Sequence, residues 1–491
     1  MKPLKINKEE FLAVKSEITD EGITISTKGK KYKIVYPKEI WKDYSETNKE
    51  FLLDNLTFIK TCYLAASQDK KGIIYSTALP LLDAFNFKST VYDIPSTAMI
   101  DKAKTAEYLK KFLNSDFIFS SYDAVIPEIT RRRKQNQKKK TVAVIPFTAG
   151  KESLLTLGLC LELGIKPVPV YIDEDPDHPE TKHKEDIMKT IEKDYGIKVY
   201  RLTSETGKKL RLGENPDNNW GIGSQMIGYL LELIPFVEYF DADYVFFGNE
   251  YGCEEFIYDK EGYKSSFCFD QRSEWTKQMS SITKLITNNR TEVGSIVSPL
   301  YEIGLLKILH TRYPFLAQMQ MSCFSDTEEG KENIWCGNCP KCGWLFAFFK
   351  ALGIDTYKVG YKDDMFKKAY IKNFSVFGGD ETYSKEALGN GAEEQAFAMC
   401  LAVERGEKGE LIEEYKKLPV YDEIKANFKK LQKKYFSQYE SVTVPYELKE
   451  RLMDLFEETF EGPFSPKDFR IKQLTAQNAE TDEEVVKFKE Q

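Results

Sequence analysis

The chain has 491 residues, 42% of them hydrophobic and 30% charged, with a formal net charge of −7. That length exceeds one ordinary core and sets two or three domains as the expectation, while the acidic balance argues against a general nucleic-acid coat and leaves only a local basic surface open. No apolar run approaches a membrane span and the first residues hold no signal-type apolar region, so a cytoplasmic protein without membrane contact is expected.

Residues 1–138 read as a small α+β domain. An opening helix is followed by a hairpin-like pair at 22–27 and 32–36 around Lys28-Gly29-Lys30, a helical stretch near 55–67, and short strands at 72–76 and 116–120. No catalytic motif shows there. The run Arg131-Arg132-Arg133-Lys134-Gln135-Asn136-Gln137-Lys138-Lys139-Lys140 is a solvated linker or an arm that meets nucleotide or RNA phosphate.

From 139 to 352 strand and helix patterns alternate: a strand at 142–147, a helix from Ser153, strands at 168–172 and 198–202 around a helix at 184–195, then the glycine-rich Trp220-Gly221-Ile222-Gly223-Ser224-Gln225, an apolar helix to Phe240 and a buried strand at 244–248. Such alternation predicts an α/β fold with a doubly wound parallel sheet, its ligand outside the carboxyl ends of the strands. The site candidates are therefore the residues just past those ends: 148–153, Asp173, Glu174, Asp175, Ser204, Asn249 and Glu250. Residues 353–491 read as a helical C-terminal region, with patterns at 393–404, 409–417 and 421–436 and a polar, acidic tail after Gln473 that is expected to be disordered. There is no internal repeat.

Two stretches carry chemistry. In the first, the β-branched run before Phe147 leads through Thr148, Ala149 and Gly150 into an amphipathic helix, which brings several N–H groups and a helix N-terminus to one point, an anion site. Its spacing is neither that of a Walker loop nor that of a dinucleotide fold. The second is Cys323-x12-Cys336-x2-Cys339-x2-Cys342, where Gly337, Asn338 and Pro340 suit a knuckle-like turn. Four thiolates with no open position describe structural zinc, Zn2+, and an iron–sulfur cluster uses similar spacing. The other cysteines, Cys62, Cys160, Cys253, Cys268 and Cys400, read as packing residues, with an acid or base role left open for one of them. His310 reads as a satisfied core histidine.

The six residues Thr148, Ala149, Gly150, Lys151, Glu152 and Ser153 resemble the Ser-Gly-Gly-x-Asp-Ser loop of the PP-loop (N-type) ATP pyrophosphatases, with hydroxyl, small, small, acid and hydroxyl in the same order. The resemblance implies an adenine nucleotide alpha hydrolase-like sheet and cleavage of ATP to AMP and pyrophosphate. It places ATP on these six residues together with Asp173, Asn249 and Glu250. It gives Lys151 and Ser153 the catalytic part of holding the leaving pyrophosphate, whose oxygens Mg2+ bridges. For the loop Asp173-Glu174-Asp175-Pro176-Asp177-His178-Pro179-Glu180-Thr181-Lys182-His183 two readings stand, a solvated loop or carboxylates that hold Mg2+ near the triphosphate.

Within that superfamily, a PP-loop followed by a cysteine cluster is similar to the 7-cyano-7-deazaguanine synthases and to the ATP-dependent UDP-N-acetylmuramoyl-L-alanyl-L-glutamate epimerases. Phe247-Gly248-Asn249-Glu250, Ser298-Pro299-Leu300-Tyr301-Glu302-Ile303, Ser322-Cys323 and Trp335-Cys336-Gly337-Asn338-Cys339-Pro340-Lys341-Cys342-Gly343-Trp344 resemble the epimerases, as does the long segment before the loop. This implies adenylation of a small-molecule carboxylate and inversion of a glutamate-like residue on a muramoyl-peptide-type substrate. Tyr251-Gly252-Cys253-Glu254-Glu255 departs from that pattern, and the C-terminal region follows it only loosely near 391–402. A nitrile synthase that captures ammonia, a tRNA-modifying thiolase and a zinc-knuckle binding module without activity are the alternatives.

Overall fold

The computed structural model describes residues 8–128, 140–266, 268–323, 327–378, 390–462 and 464–471. The basic run up to Lys139 and the tail after Gln473 lie outside the described residues.

Ten strands form one sheet: β1 Phe11–Thr19, β2 Gly22–Thr27, β3 Lys30–Val35, β4 Gly72–Tyr75, β5 Asp116–Ile118, β6 Val142–Pro146, β7 Lys166–Asp173, β8 Tyr200–Ser204, β9 Tyr244–Phe246 and β10 Glu292–Gly294. Their order is β10-β9-β6-β7-β8-β3-β2-β1-β4-β5. Six of the nine pairings are parallel, and those joining β10, β9, β6, β7 and β8 are all of this kind. The fold is thus α/β on a large, mostly parallel sheet.

Strand β1 occupies the place of the expected opening helix. Leu12 and Val14 turn inward while Ala13 and Lys15 face out, a period of two that a helix cannot bury. The hairpin after it turns at Lys28 and Gly29, both at positive φ (48° and 78°), the geometry of a two-residue primed turn. β3 then pairs antiparallel with β8 through Ile34↔Ser204 and Val35↔Thr203, so the sheet runs unbroken from the first segment into the second.

The helices that support the site are α1 Glu46–Thr61, α2 Lys151–Glu162, α3 Pro179–Tyr195, α4 Gln225–Phe240, α5 Glu302–Arg312, α6 Pro340–Leu352, α7 Asn390–Glu404 and α8 Tyr446–Glu461. They cover both faces of β6. Val142 and Val144 share a core with Leu56 of α1 and Leu230 of α4, while Ala143 and Ile145 share the core on the other side with Leu155 of α2 and Leu305 of α5. A strand buried on both sides reads as a continuous apolar run, which is how Val142-Ala143-Val144-Ile145 appears in the sequence.

A separate core joins α6 and α7 through Phe346, Phe349, Phe397 and Met399. The helical pattern expected over 421–436 is two helices, Pro419–Ala426 and Phe428–Tyr435, divided at Asn427. α8, which has no counterpart among the expected elements, returns to the main sheet and buries Leu452, Leu455 and Phe456 there. Among the described residues no helix is long and apolar enough to cross a membrane.

Candidate functional site

Because β6, β7, β8 and β9 run parallel, their carboxyl ends share one edge, and the candidates past those ends are brought to it together. Past β6, Phe147 extends the pairing by donating its N–H to the Val170 carbonyl at 2.8 Å. The chain then bends at Ala149, which lies at φ +53°, and enters α2 with Gly150 as extended N-cap. A β-carbon on Gly150 would come within 3.2 Å of Thr148 Oγ1 and 3.4 Å of Glu152 Oε2, so the loop is closely packed there. Ser153 Oγ donates to the Gly150 carbonyl at 3.1 Å. The N–H groups of the first turn of α2 have no acceptor within the helix and form the positive end of its dipole.

Lys151 is 2% exposed, and its Nζ lies 2.6 Å from Glu152 Oε1 and 2.5 Å from Glu302 Oε1. The amine expected to hold pyrophosphate is therefore already neutralised by two carboxylates, the second supplied by the first turn of α5. Burial would raise the Glu152 carboxyl, but Lys151 and Lys341 outweigh it and hold that carboxyl down at about 2. Gly248 makes the contact possible from the β9 side, because a β-carbon there would sit 2.6 Å from Glu152 Cβ.

Asp173 is fully buried at the end of β7. One of its oxygens accepts from Arg201 Nε at 3.0 Å and Nη2 at 2.5 Å, the other from Thr181 Oγ1 at 3.0 Å. Asn249 Nδ2 donates to Thr276 Oγ1 at 3.0 Å, and Glu250 accepts from the Gly252 N–H at 2.6 Å. Asp173, Asn249 and Glu250 thus reach the shared edge with side chains engaged in shaping its loops. Among the described residues the carboxylates of 173–177 form no group of three or more candidate metal ligands, and Asp177 points out with 91% of its side chain exposed. His178 caps α3, accepting at Nδ1 from the Glu180 N–H at 3.2 Å, and His183 Nε2 contacts the Gly330 carbonyl at 2.9 Å.

Ser204 belongs to a buried cluster that sequence reasoning missed. Its Oγ donates to Glu232 Oε1 at 2.7 Å, and Glu232, fully buried on α4, is 3.0 Å from Lys60 Nζ of α1. The available signal was Gly228 inside an apolar helix: a β-carbon there would meet Lys60 Nζ at 2.6 Å. Glu174 lies beside this cluster against bare Gly207, and burial raises its carboxyl. Lys184 of α3 is a second omission; its buried ammonium donates to the Thr148 carbonyl of the loop.

The four expected metal ligands do come together. The Sγ atoms of Cys323, Cys336, Cys339 and Cys342 lie within 4.8 Å of one another, and those of Cys336 and Cys342 are 3.7 Å apart. A tetrahedron with Zn–S of about 2.3 Å has an edge of about 3.8 Å, so the group could hold a zinc ion. Backbone N–H groups donate to sulfur from Cys336 to Cys323 at 3.3 Å, from Asn338 to Cys336 at 3.5 Å and from Cys342 to Cys339 at 3.4 Å. Gly337 at φ +64° closes the knuckle. Cys62, Cys160 and Cys400 are fully buried, whereas Cys253 places its Sγ 3.6 Å from Glu250 Oε1. His310 bonds Gln320 Oε1 at 2.9 Å, and burial pushes it down to about 4. Set against known proteins, the chain matches no family model and no curated protein.

Proposed function

We propose that this chain is an ATP pyrophosphatase of the PP-loop kind, which adenylates a small-molecule carboxylate. The observation that carries the reading is the loop from β6 into α2, closely packed and set at the carboxyl edge of parallel strands, where N–H groups and a helix N-terminus serve an anion. An oxygen of the acceptor carboxylate attacks the α-phosphorus of ATP, pyrophosphate leaves, and an acyl-adenylate forms. Positioning and charge neutralisation dominate such chemistry. In this reading the loop N–H groups and Ser153 hold the pyrophosphate, and Lys151 acts from behind by fixing Glu152. Mg2+ neutralises charge on the triphosphate when bound, and no carboxylate of this chain is assigned to it.

Zinc at the cysteine cluster is structural in this proposal, since four sulfurs leave no position for substrate. The acceptor we favour is a glutamate-like carboxylate on a muramoyl-peptide-type carrier. Adenylation then has a purpose, because turning the carboxylate into a neutral mixed anhydride acidifies the adjacent α-proton, and each unit of pKa is worth about 1.4 kcal/mol. Inversion needs an acid and a base on opposite faces, and water then cleaves the anhydride, restoring the carboxylate and releasing AMP.

Chromatography of the nucleotide products tests the first claim, with AMP and pyrophosphate expected and ADP with phosphate refuting it. Incubation with the L-glutamate-terminated muramoyl dipeptide in deuterated water tests the second. Inverted product carrying deuterium at the α-carbon is expected. Pyrophosphate release with another acid or a deazapurine, without inversion, would leave the first claim and remove the second.

A further inference from the structure

Lys184 sits one helical turn after Glu180 on α3, with 4% of its side chain exposed and its Nζ 3.2 Å from Glu180 Oε1. The same Nζ donates to two carbonyls, that of Thr148 in the loop and that of Met321 at 3.3 Å. The Met321 N–H in turn donates to the Ala149 carbonyl at 2.9 Å. Two consecutive carbonyls of the loop are therefore held from outside, one by the lysine and one by the segment that leads into Cys323.

In a trans peptide the C=O and the following N–H point in opposite directions. Holding the Thr148 carbonyl thus aims the Ala149 N–H the other way, and holding the Ala149 carbonyl fixes the direction of the Gly150 N–H, which donates to Thr148 Oγ1 at 3.4 Å. The left-handed turn at Ala149 is the link between these two peptides, a conformation that a residue with a β-carbon adopts only when its surroundings impose it. Resting on the pyrophosphatase reading above, we infer that Lys184 is a positioning residue: it orients the loop N–H groups toward the pyrophosphate portion of the nucleotide, without touching the reacting atoms.

Isothermal titration of the full-length protein with inorganic pyrophosphate, ATP and AMP separates this role from general stability. Lys184→Met is expected to weaken pyrophosphate and ATP by about tenfold, the loss of one charge-assisted hydrogen bond, with AMP unchanged within about twofold. Lys184→Arg, which keeps a charged donor, is expected to recover most of the loss. Should Lys184→Met fail to fold, Lys184→Gln, whose amide nitrogen ends one bond short of both carbonyls, carries the same expectation. Equal losses for AMP and pyrophosphate, or none for either, would overturn the inference while wild-type binding kept the pyrophosphatase reading intact. A wild-type protein that binds neither ATP nor pyrophosphate would overturn both.

Discussion

Replacing Lys151 by methionine removes the ammonium that sits 2.5 Å from Glu302 and 2.6 Å from Glu152. Lys151 and Glu302 are each 2% exposed, and among the described residues Lys151 is the cation paired with Glu302. The variant leaves a buried carboxylate without its counter-charge, a situation that costs about 3–5 kcal/mol. Lys151→Met/Glu302→Met, which swaps the pair for apolar groups of similar volume, is expected to recover most of that loss. Urea unfolding of parent, single and double variants gives the cycle.

The pH dependence follows with a definite sign. The Glu152 carboxyl is depressed from 4.5 to about 2, so its contribution is complete above pH 4.5 and is lost as pH falls through about 2. The parent should therefore lose stability over that interval more steeply than Lys151→Met, whose Glu152 keeps the Lys341 interaction and a backbone hydrogen bond but not the lysine beside it. A single variant within about 0.5 kcal/mol of the parent, or a double variant worse than the single, would mean that the amine does not occupy the buried position between these carboxylates.

Cys339→Ser should lower melting temperature and zinc content more than it changes the turnover of what stays folded; metal analysis giving iron with a visible absorption would replace zinc by an iron–sulfur cluster. Gly248→Ala forces a β-carbon to 2.6 Å from Glu152 Cβ, so a loss of about 1–3 kcal/mol is expected by urea unfolding, and an unchanged midpoint would contradict the contact. Lys60→Met strands the fully buried Glu232 and should cost about 3–5 kcal/mol, with Lys60→Met/Glu232→Leu recovering much of it; additive losses in the double variant would refute the pairing.

What the sequence made legible is local. The β6 run, the small residues after it and the helix that follows are contiguous, so the loop could be read from one stretch, and the cysteines announced themselves by spacing. What it concealed depends on partners far along the chain. β1 opens on four consecutive apolar residues, Phe11 to Val14, and continues Lys15-Ser16-Glu17-Ile18, a pattern without a clean period of two that does not separate strand from helix without its neighbour β2. The join between β3 and β8 rests on two residue pairs and has no local signature. Lys151 opens the helix after the loop, but where its amine goes is decided by Glu302 on a distant helix. The partners of Asp173 are likewise not legible locally, since Arg201 and Thr181 reach its two oxygens from β8 and α3.

The four residues 320–323 join the two stretches of chemistry that the sequence presents as separate. Gln320 is held by His310, which burial keeps neutral near pH 7 so that its ring offers one donor and one acceptor. Met321 donates to the Ala149 carbonyl, and the Ser322 hydroxyl lies 3.8 Å from where a Gly150 β-carbon would be. Cys323 then enters the sulfur cluster. Because Met321, two residues before Cys323, bonds the Ala149 carbonyl, the position of Cys323 constrains that carbonyl. A metal that merely held the knuckle together could be served by four sulfurs from one loop. Here the first sulfur comes instead from the segment bonded to the loop after β6, so the cluster and that loop share a support, and Lys184 of α3 joins the two through the Thr148 and Met321 carbonyls.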